Sequence, residues 1–312
     1  MQVLKDIFTI RRPEFMIVEA TIFSMPILVV AHGMQALTTG LVIEGLLLFF
    51  VLYSFGDMIN CLADRDLDST YKTRLSRAVY RLGVGFVRKI LIVELVAALL
   101  LGIHLAWSSG RWQLLALVLA GVFLGVEYSV GPFYFKSRGI GHLLCLWLLL
   151  YFLPMLFAAL LVVPNLSAVV VILAMSYATI EMGIILINTS EDLPEDRAMG
   201  VCTTTVFLGL RRTLRLSAMM VLIGGILLIS VWIYLFWNGG ISNWGYAALL
   251  LLTVVCIYVF LTIVTLSRRV ELSEEPVAVK LVKAQGAKVP IWATLVGWMS
   301  VLCGVAYFIG RQ

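Results

Sequence analysis

The chain has 312 residues, of which 62% are hydrophobic and 13% are charged, and its mean hydropathy is +1.03. This composition excludes a soluble globular domain of such length and predicts a polytopic membrane protein. The net charge of +5 is read as a signal of membrane topology, so no nucleic-acid partner is expected. The five cysteines lack CxxC spacing and the three histidines are isolated, so the pattern implies neither a zinc site nor a disulfide framework.

About 20 apolar residues are needed to cross a bilayer as a helix. Runs of this kind predict nine transmembrane helices in a single all-α domain that covers residues 1–312. The predicted helices lie near 13–32, 41–64, 86–108, 112–130, 139–162, 166–192, 213–237, 243–267 and 289–309. No small-residue cleavage pattern follows the first run, which is therefore interpreted as the first span and not as a cleaved signal.

The distribution of Lys and Arg predicts the orientation of the chain in the membrane. If the N-terminus is cytoplasmic and the spans alternate, all of the 23 Lys and Arg residues except Arg111 and Arg311 fall on the cytoplasmic side. Cytoplasmic loops carry an excess of these residues. We therefore expect an integral, multi-pass protein with a cytoplasmic N-terminus, located in the cytoplasmic membrane if the source is bacterial. The stretch near 270–288 is expected to be a short surface helix or a loop.

An Asn-x3-Asp-x3-Asp spacing occurs twice, each time at the end of an apolar run. The first copy comprises Asn60, Asp64 and Asp68, and the second comprises Asn188, Asp192 and Asp196. Side chains four residues apart lie on one face of a helix, so each copy predicts a row of oxygen ligands. Pro194 is expected to end the regular helix before Asp196. Both copies fall at the predicted cytoplasmic side, where we place the candidate active site.

The donor atoms of the two copies favour magnesium. Carboxylate and amide oxygens without His or Cys are typical of Mg²⁺, which commonly keeps water and substrate phosphate among its ligands. Two facing copies are expected to hold a diphosphate through such ions. Basic residues follow the two copies, as an anionic ligand requires: Lys72, Arg74 and Arg77 after the first and Arg197 after the second. The alternative interpretation is that the acids pair with neighbouring arginines at the membrane surface, and the repetition of the spacing disfavours it.

In these residues the chain resembles the UbiA superfamily of intramembrane prenyltransferases. The family motif NDxxDxxxD is matched by Asn60, Asp64 and Asp68, and the following Lys and Arg-Pro pattern by Lys72 and Arg77. The family motif NDxxDxxxDRxxGxxT is matched by Asn188, Asp192, Asp196, Arg197, Gly200 and Thr203. The family stretch YSxPPxxxKxxG is matched from Tyr128 to Gly139, with Lys136 at its lysine. The resemblance extends from the first helix to about residue 215, and the last three helices match only as apolar spans.

The chain departs from the family pattern at several positions. Cys61 and Thr189 stand where the family often has an aspartate after the Asn, so each motif has one carboxylate fewer. Ala78 and Gly131 each replace a family proline. The number of Mg²⁺ ions is therefore left open. Three further acids near the motifs are Asp57, Asp66 and Glu191, of which the last two are expected to be solvated.

The resemblance implies Mg²⁺-dependent transfer of an isoprenyl group from an allylic prenyl diphosphate to a small lipophilic acceptor, most often aromatic, within the lipid bilayer. It implies metal and diphosphate binding by the six motif residues, with catalytic roles for Asp64, Asp68, Asp192 and Asp196. It further implies neutralisation of phosphate charge by Lys72, Arg77, Lys136 and Arg197. Ring faces of Tyr128, Tyr134 or Tyr177 are candidates for contact with a carbocation. No obligate protein partner is implied.

Acidic residues inside predicted spans usually mark function, because burying a charge is costly. Glu181 is interpreted either as an acceptor-side base or polar anchor in substrate binding, or as a neutral glutamic acid that braces two helices. Glu19 and Glu94 also fall mid-span, and the sequence does not fix the rotation of the helix that carries Glu19.

Three alternatives to a prenyltransferase remain at this point. A membrane terpene cyclase shares the ionisation step and is separated from a transferase by its products. A carrier or channel predicts acids spread through the membrane depth, whereas the acids here cluster at one side. A CDP-alcohol phosphotransferase also uses membrane aspartates, but its DGxxAR signature is absent.

Overall fold

The computed structural model describes residues 2–69, 73–239 and 243–312, and within these ranges all regular elements are helices. Nine helical segments of this described part are long and apolar enough to cross a membrane. They are Pro13–Val30, Met34–Ala63, Val84–Ser109, Trp112–Ser129, Ile140–Leu160, Ala168–Glu191, Leu210–Gly239, Trp244–Glu271 and Val289–Gly310. The predicted all-α class and the nine spans are therefore confirmed, with ends that differ from the predicted ones by a few residues.

The α-helices are numbered in chain order. They are α1 Gln2–Ile10, α2 Met16–Val30, α3 Met34–Leu37, α4 Gly40–Ala63, α5 Arg65–Asp68, α6 Thr73–Leu82, α7 Val84–Ser109, α8 Trp112–Ser129, α9 Ile140–Leu146, α10 Leu153–Leu160, α11 Ala168–Glu191, α12 Leu193–Ala198, α13 Thr204–Leu208, α14 Leu210–Gly239, α15 Asn243–Glu271, α16 Glu275–Gly286 and α17 Val289–Gly310. The stretch expected to be a short surface helix or loop forms α16.

The two helices that carry the acidic motifs begin in the same way. The hydroxyl of Thr39 accepts a hydrogen bond from the backbone N–H of Val42 at the start of α4. The hydroxyl of Ser167 accepts one from Val170 at the start of α11. Each side chain satisfies one of the N–H groups that a helix leaves unpaired in its first turn. We call the other end of the bundle, where α4 and α11 finish, the motif end.

Helix α11 lies at the centre of the bundle and packs most closely on α14. The approach depends on glycine, because a Cβ atom on Gly224 would lie 2.5 Å from the backbone nitrogen of Ile180. Near the same contact, the hydroxyl of Ser217 donates to the carbonyl oxygen of Gly183 at 2.5 Å. Small residues that let helix backbones approach are a common way to pack helices in lipid, where apolar burial alone gives little drive.

At the end opposite the motif end, two arginines bind main-chain carbonyl groups. Arg111 donates to the carbonyl of Leu160 at 2.7 Å. Arg311 donates to Val29 at 3.0 Å and to Ala31 at 2.9 Å. These are the two basic residues that the positive-inside count placed on the outer side. Their guanidinium groups satisfy helix-terminal carbonyls that would otherwise lack a partner.

The fifth span changes its helical pitch where it faces α4. A π-helical stretch, Trp147–Phe152, joins α9 to α10, and Pro154 follows it. Proline has no N–H to donate to the carbonyl four residues earlier, which belongs to Leu150. The hydroxyl of Tyr53 on α4 donates to this carbonyl. The bond ties the second span to the fifth at the level of an internal cavity.

Candidate active site

Both acidic motifs bend the chain at their central aspartate. Asp64 has φ −88° and ψ 3°, and Asp192 has φ −83° and ψ 5°, so each residue ends a spanning helix. The backbone then continues with a helical bond, since Asp68 N–H donates to Asp64 and Asp196 N–H to Asp192, both at 2.8 Å. The three residues of each motif therefore remain about one turn apart although the long helix has ended. The expected helix end before Asp196 is confirmed.

In the first motif, Asp64 is the focus of the polar contacts. The amide of Asn60 donates to Asp64 Oδ2 at 3.1 Å and lies 3.3 Å from the hydroxyl of Ser129 on α8. Lys136 forms an ion pair with the same carboxylate oxygen, and both side chains are nearly buried. Lys136, whose predicted role is to neutralise phosphate charge, thus contacts the first motif directly.

In the second motif, Asp196 is buried and held by the segment that follows it. Thr203 donates its hydroxyl to Asp196 Oδ2 at 2.9 Å. The backbone N–H of Val201 donates to the carbonyl of Asp196, also at 2.9 Å. Asp196 is only 5% exposed. Hydrogen bonds to a carboxylate are among the stronger ones in proteins, so this turn is expected to fix the side chain firmly.

The loop of residues 130–139 connects the two motifs. Its Ser137 accepts a hydrogen bond from Cys202 N–H, and Gly139 N–H donates to the Cys202 carbonyl, each at 2.8 Å. Gly139 has φ +55°, and a Cβ atom there would lie 2.9 Å from the ring of Phe207. The glycine is needed for this close contact. Lys136, which pairs with the first motif, is therefore anchored on the segment after the second motif.

Tyr134 in the same loop is influenced by carboxylates of both motifs. Burial raises the pKa of its phenol, Lys136 opposes the rise, and Asp64 and Asp196 add to it. A single side chain thus lies within electrostatic reach of one aspartate from each motif. That the two motifs face each other around one ligand stays a prediction.

A histidine that the sequence pattern did not single out supports this region. His142 lies 2.9 Å from the hydroxyl of Thr204 through Nδ1 and 3.2 Å from the hydroxyl of Tyr128 through Nε2. Its ring also stacks on that of Tyr128. The contacts position Tyr128, which was a predicted substrate-binding residue. A single histidine forms no motif in the sequence. Its contacts become evident only in the structure, where α9 packs on α8 and α13.

A cavity of about 320 Å³ lies inside the bundle and reaches the motifs. Asn60, Asn188 and Tyr128 contribute to its wall. Much of the remaining surface is apolar, and α8 and the fifth span supply one side of it through Leu117, Val118, Val122, Leu149, Leu153 and Phe157. The cavity thus combines amide and aromatic groups from the motif region with an apolar interior.

The other predicted site residues lie outside this cavity or outside the described residues. Arg197 forms an ion pair with Glu275 on α16. Arg77 is exposed on α6, and Lys72 lies outside the part of the chain that the structure describes. Glu181 is fully buried and does not line the cavity. The roles assigned to these four residues, like those assigned to the motif residues, remain predictions.

The donor groups fit a magnesium ion by their chemistry. In the described ranges, no three carboxylate, imidazole or thiol groups come together as a metal cluster. Mg²⁺ does not require such a cluster, since it commonly takes one or two protein carboxylates and completes its shell with water and phosphate oxygens. The motif end offers carboxylate and amide oxygens from Asn60 to Asp68 and from Asn188 to Asp196.

These features define an intramembrane helical bundle with an apolar cavity whose polar end is built from two acidic motifs and a lysine. The sequence profile described as the UbiA prenyltransferase family matches residues 20–275. The chain therefore belongs to this family. No curated protein sequence matches the chain significantly.

Solved structures with the same fold are distant in sequence. A UbiA homolog from Archaeoglobus fulgidus, bound to GPP and Mg²⁺, has a TM-score of 0.61 at 18% identity. The superposition covers 93% of this chain and 99% of the homolog's chain. A digeranylgeranylglyceryl phosphate synthase has a TM-score of 0.63 at 15% identity, with 98% and 99% covered. An apo UbiA homolog from Aeropyrum pernix K1 has a TM-score of 0.60 at 16% identity, with 95% and 99% covered. At these identities the likeness establishes the fold.

Proposed function

We propose that this protein transfers an isoprenyl group from an allylic prenyl diphosphate to a lipophilic acceptor within the membrane, with Mg²⁺ as cofactor. One observation carries the proposal: an ion pair between Lys136 and Asp64 lies at the end of an apolar cavity that both Asn60 and Asn188 line. An anionic head and an apolar tail have complementary surroundings there. The structures of the Archaeoglobus fulgidus homolog with GPP or DMAPP and Mg²⁺ support the same ligand class.

The residues of this chain have separate tasks in the proposed reaction. Asn60, Asp64, Asp68, Asn188, Asp192 and Asp196 would hold the metal. When bound, Mg²⁺ supplies positive charge that stabilises a departing diphosphate. Lys136 adds a fixed positive charge beside Asp64, and it is anchored there by the loop of residues 130–139. Charge placed in advance where negative charge develops is usually a large contribution to catalysis.

The cavity has the complementary task of holding the tail and excluding water. The six aliphatic and phenyl side chains that α8 and the fifth span contribute to its wall offer no hydrogen-bond donor that competes for the diphosphate. An apolar enclosure also protects a carbocation from capture by water. Tyr128 lines this cavity, whereas Tyr134 and Tyr177 do not. Of the three aromatic candidates, we therefore assign contact with the reacting group to Tyr128.

The experiment measures binding and turnover of geranyl diphosphate by purified protein in detergent, with Mg²⁺ or with EDTA. Asp64→Asn and Asp192→Asn are compared with the wild type. Asp66→Asn is the matched control, because its side chain is 65% exposed and pairs with Arg65. We expect Mg²⁺-dependent binding in the wild type and in the control, and its loss in both motif variants. Products are extracted from the same samples with and without a panel of acceptors.

The products decide between the remaining alternatives. A prenylated acceptor supports transfer, whereas a cyclised hydrocarbon or alcohol formed without an acceptor would indicate a terpene cyclase. If folded wild-type protein binds geranyl diphosphate no better than the two motif variants, the enzyme proposal fails. The acidic motifs would then be reinterpreted as the cation site of a carrier or channel, or as structural ion pairs.

We further propose that the motif end faces the cytoplasm, as the distribution of Lys and Arg indicates. Cysteines at Met34 and Glu274, both exposed and at opposite ends of the bundle, test this in intact cells when each is introduced into a variant without the five native cysteines. A membrane-impermeant thiol reagent is expected to label Met34→Cys directly and Glu274→Cys only after permeabilisation. The reverse pattern would place the motif end outside.

A further inference from the structure

A chain of hydrogen bonds leads from the cavity wall into the protein behind Tyr128. Tyr128 lines the cavity, whereas His142 does not and is only 1% exposed. The two meet through Tyr128 Oη and His142 Nε2, which are 3.2 Å apart. On the other side of the ring, His142 Nδ1 lies 2.9 Å from the hydroxyl oxygen of Thr204, which lies 2.8 Å from the carbonyl oxygen of Gly139. Of these four groups, only the phenol contributes to the cavity wall.

The direction of each hydrogen bond in this chain follows from its last member. A carbonyl oxygen can only accept, so the hydroxyl of Thr204 donates its single hydrogen to Gly139. The contact between Thr204 and His142 Nδ1 then needs a hydrogen from the imidazole, so Nδ1 carries it. Both hydroxyl partners of His142 are uncharged, and a buried imidazolium without an anionic partner would be costly. Nε2 of the neutral ring is therefore an acceptor, and Tyr128 donates its hydroxyl hydrogen to it.

The opposite tautomer of His142 fits the distances less well. The backbone N–H of Thr204 also points at Nδ1, at 3.4 Å, and this contact alone would favour an Nδ1 without hydrogen. The 2.9 Å contact with the Thr204 hydroxyl would then bring two lone pairs together, because the hydrogen of that hydroxyl is donated to Gly139. The shorter contacts decide the assignment, since 3.4 Å exceeds the usual range of an N–H donor.

We propose that His142 is a positioning residue that holds the hydroxyl hydrogen of Tyr128 in a bond outside the cavity, so that the phenol meets the substrate without an O–H donor. The inference rests on the proposed prenyl transfer and concerns how its aromatic contact is set. A phenol that donates to an imidazole is polarised by this bond, and its ring gains electron density. Contact between the ring face and an allylic cation is thereby favoured. His142 does not line the cavity, so it acts only through Tyr128.

Two substitutions of His142 separate the two partners of its ring. In His142→Gln, the amide oxygen can take the place of Nε2 and accept from Tyr128. In His142→Asn, the amide nitrogen can take the place of the Nδ1–H group and donate to Thr204, but Tyr128 loses its acceptor. Each variant thus keeps one bond of the chain and loses the other. His104→Asn is the control, because His104 pairs with Glu44 and does not line the cavity.

Turnover of geranyl diphosphate is measured with Mg²⁺ and the same panel of acceptors. For His142→Asn we expect kcat to fall about three- to tenfold, as for the loss of one hydrogen bond, with the KM for geranyl diphosphate within about twofold of the wild type. His142→Gln is expected to keep at least about half of the wild-type kcat, because the phenol retains its acceptor. In a Tyr128→Phe background, which has no hydroxyl hydrogen to direct, His142→Asn is expected to lower kcat by less than about twofold.

The tautomer of His142 is measured without substrate. In protein labelled at histidine, ¹⁵N NMR distinguishes a protonated Nδ1 from a protonated Nε2. The chain has two other histidines, His32 and His104, so His32→Asn and His104→Asn assign the signals of His142 by elimination. We expect a protonated Nδ1 and an unprotonated Nε2. This measurement needs only the wild type and two exposed-site variants, so it decides the point even if neither variant of His142 folds.

The outcomes separate this proposal from the one on which it rests. A folded wild type that shows no Mg²⁺-dependent binding of geranyl diphosphate contradicts the proposed function and, with it, the role of His142. With that binding intact, equal losses of kcat in His142→Asn and His142→Gln overturn the role of His142 alone. An equal loss from His142→Asn in the wild-type and Tyr128→Phe backgrounds does the same, because a purely structural histidine acts equally in both. A protonated Nε2 overturns it as well.

Discussion

The two acidic motifs have the same spacing and nearly the same backbone bend, but they lie in different surroundings. In the apolar window of α11, which carries the second motif, 72% of the residues are buried, against 22% in the span that carries the first. Asp196 is held by Thr203 from its own segment, whereas Asp64 is held by Lys136 from a distant loop. The two motifs therefore offer the same types of ligand atom, but different kinds of contact hold them in place.

This difference indicates how the site is assembled. The second motif lies at the end of a central helix and is held by the turn that follows it, so we expect it to be the more rigid half. The first motif depends on the loop of residues 130–139, which is itself tied to Cys202 beyond the second motif. The segment after the second motif thus positions Lys136, the cation that pairs with the first motif. Substitutions in the two halves are expected to have different consequences.

The largest effect is expected from removing the cation of the first motif. Lys136→Met leaves Asp64 without its ion-pair partner and removes a charge aimed at the diphosphate. By analogy with the loss of one stabilising group in other active sites, we expect kcat to fall by about 10²- to 10³-fold. Steady-state turnover of geranyl diphosphate measures this, with Lys136→Arg retaining part of the activity. If kcat falls by less than about threefold in Lys136→Met, Lys136 has no catalytic role.

The next effect concerns the packing of the central helix. Gly224→Ala places a Cβ atom 2.5 Å from the backbone of Ile180, and a backbone cannot move aside as a side chain does. We expect a loss of about 1–3 kcal/mol in stability, the usual cost of overpacking. On the span of the first motif, the three atoms nearest to a Cβ at Gly45 all belong to the side chain of Leu161. Unfolding in detergent should therefore show a smaller loss for Gly45→Ala, and equal losses would contradict the contrast between the two helices.

Much of the fold follows from patterns in the sequence because the patterns match physical lengths. Each apolar run is long enough to span a bilayer, and the structure has a spanning helix for each. The break before Asp196 was predictable from Pro194, which cannot continue the hydrogen-bonding pattern of α11. The equal break at Asp64 has no proline nearby and carried no comparable signal.

The contacts of the candidate site were less predictable, because they join segments far apart in the chain. The basic residue after the second motif, Arg197, was predicted at the phosphate, but it lies against Glu275 of α16. That helix had no evident role from its sequence. The ion pair of Lys136 with Asp64 depends on the path of a loop, which spacing does not encode. His142 was overlooked for the same reason, since its partners lie on α8 and α13.

A moderate effect is expected where each motif is braced by a hydroxyl group. Thr203→Val removes a hydrogen bond to the Asp196 carboxylate, and such bonds are worth about 1.5–3 kcal/mol. Ser129→Ala removes one of the two partners of the neutral Asn60 amide, which corresponds to about 0.5–1.5 kcal/mol. The kcat/KM for geranyl diphosphate is expected to fall more in Thr203→Val. Thr262→Val, whose hydroxyl bonds only its own helix on the exposed surface, is the control.

The smallest effect is expected at the ion pair between α12 and α16. Arg197 and Glu275 are both about half exposed, and exposed pairs of this kind contribute roughly 0–1 kcal/mol and weaken with salt. If Arg197 serves only this contact, Arg197→Met and Glu275→Gln lower stability equally, and the double variant loses no more than either single one. If Arg197 instead turns toward the substrate, only Arg197→Met raises the KM for geranyl diphosphate. Stability and the KM for geranyl diphosphate are measured on the wild type, the two single variants and the double variant. Together they decide whether Arg197 contacts the diphosphate, as its position after the second motif indicates, or only Glu275 of α16.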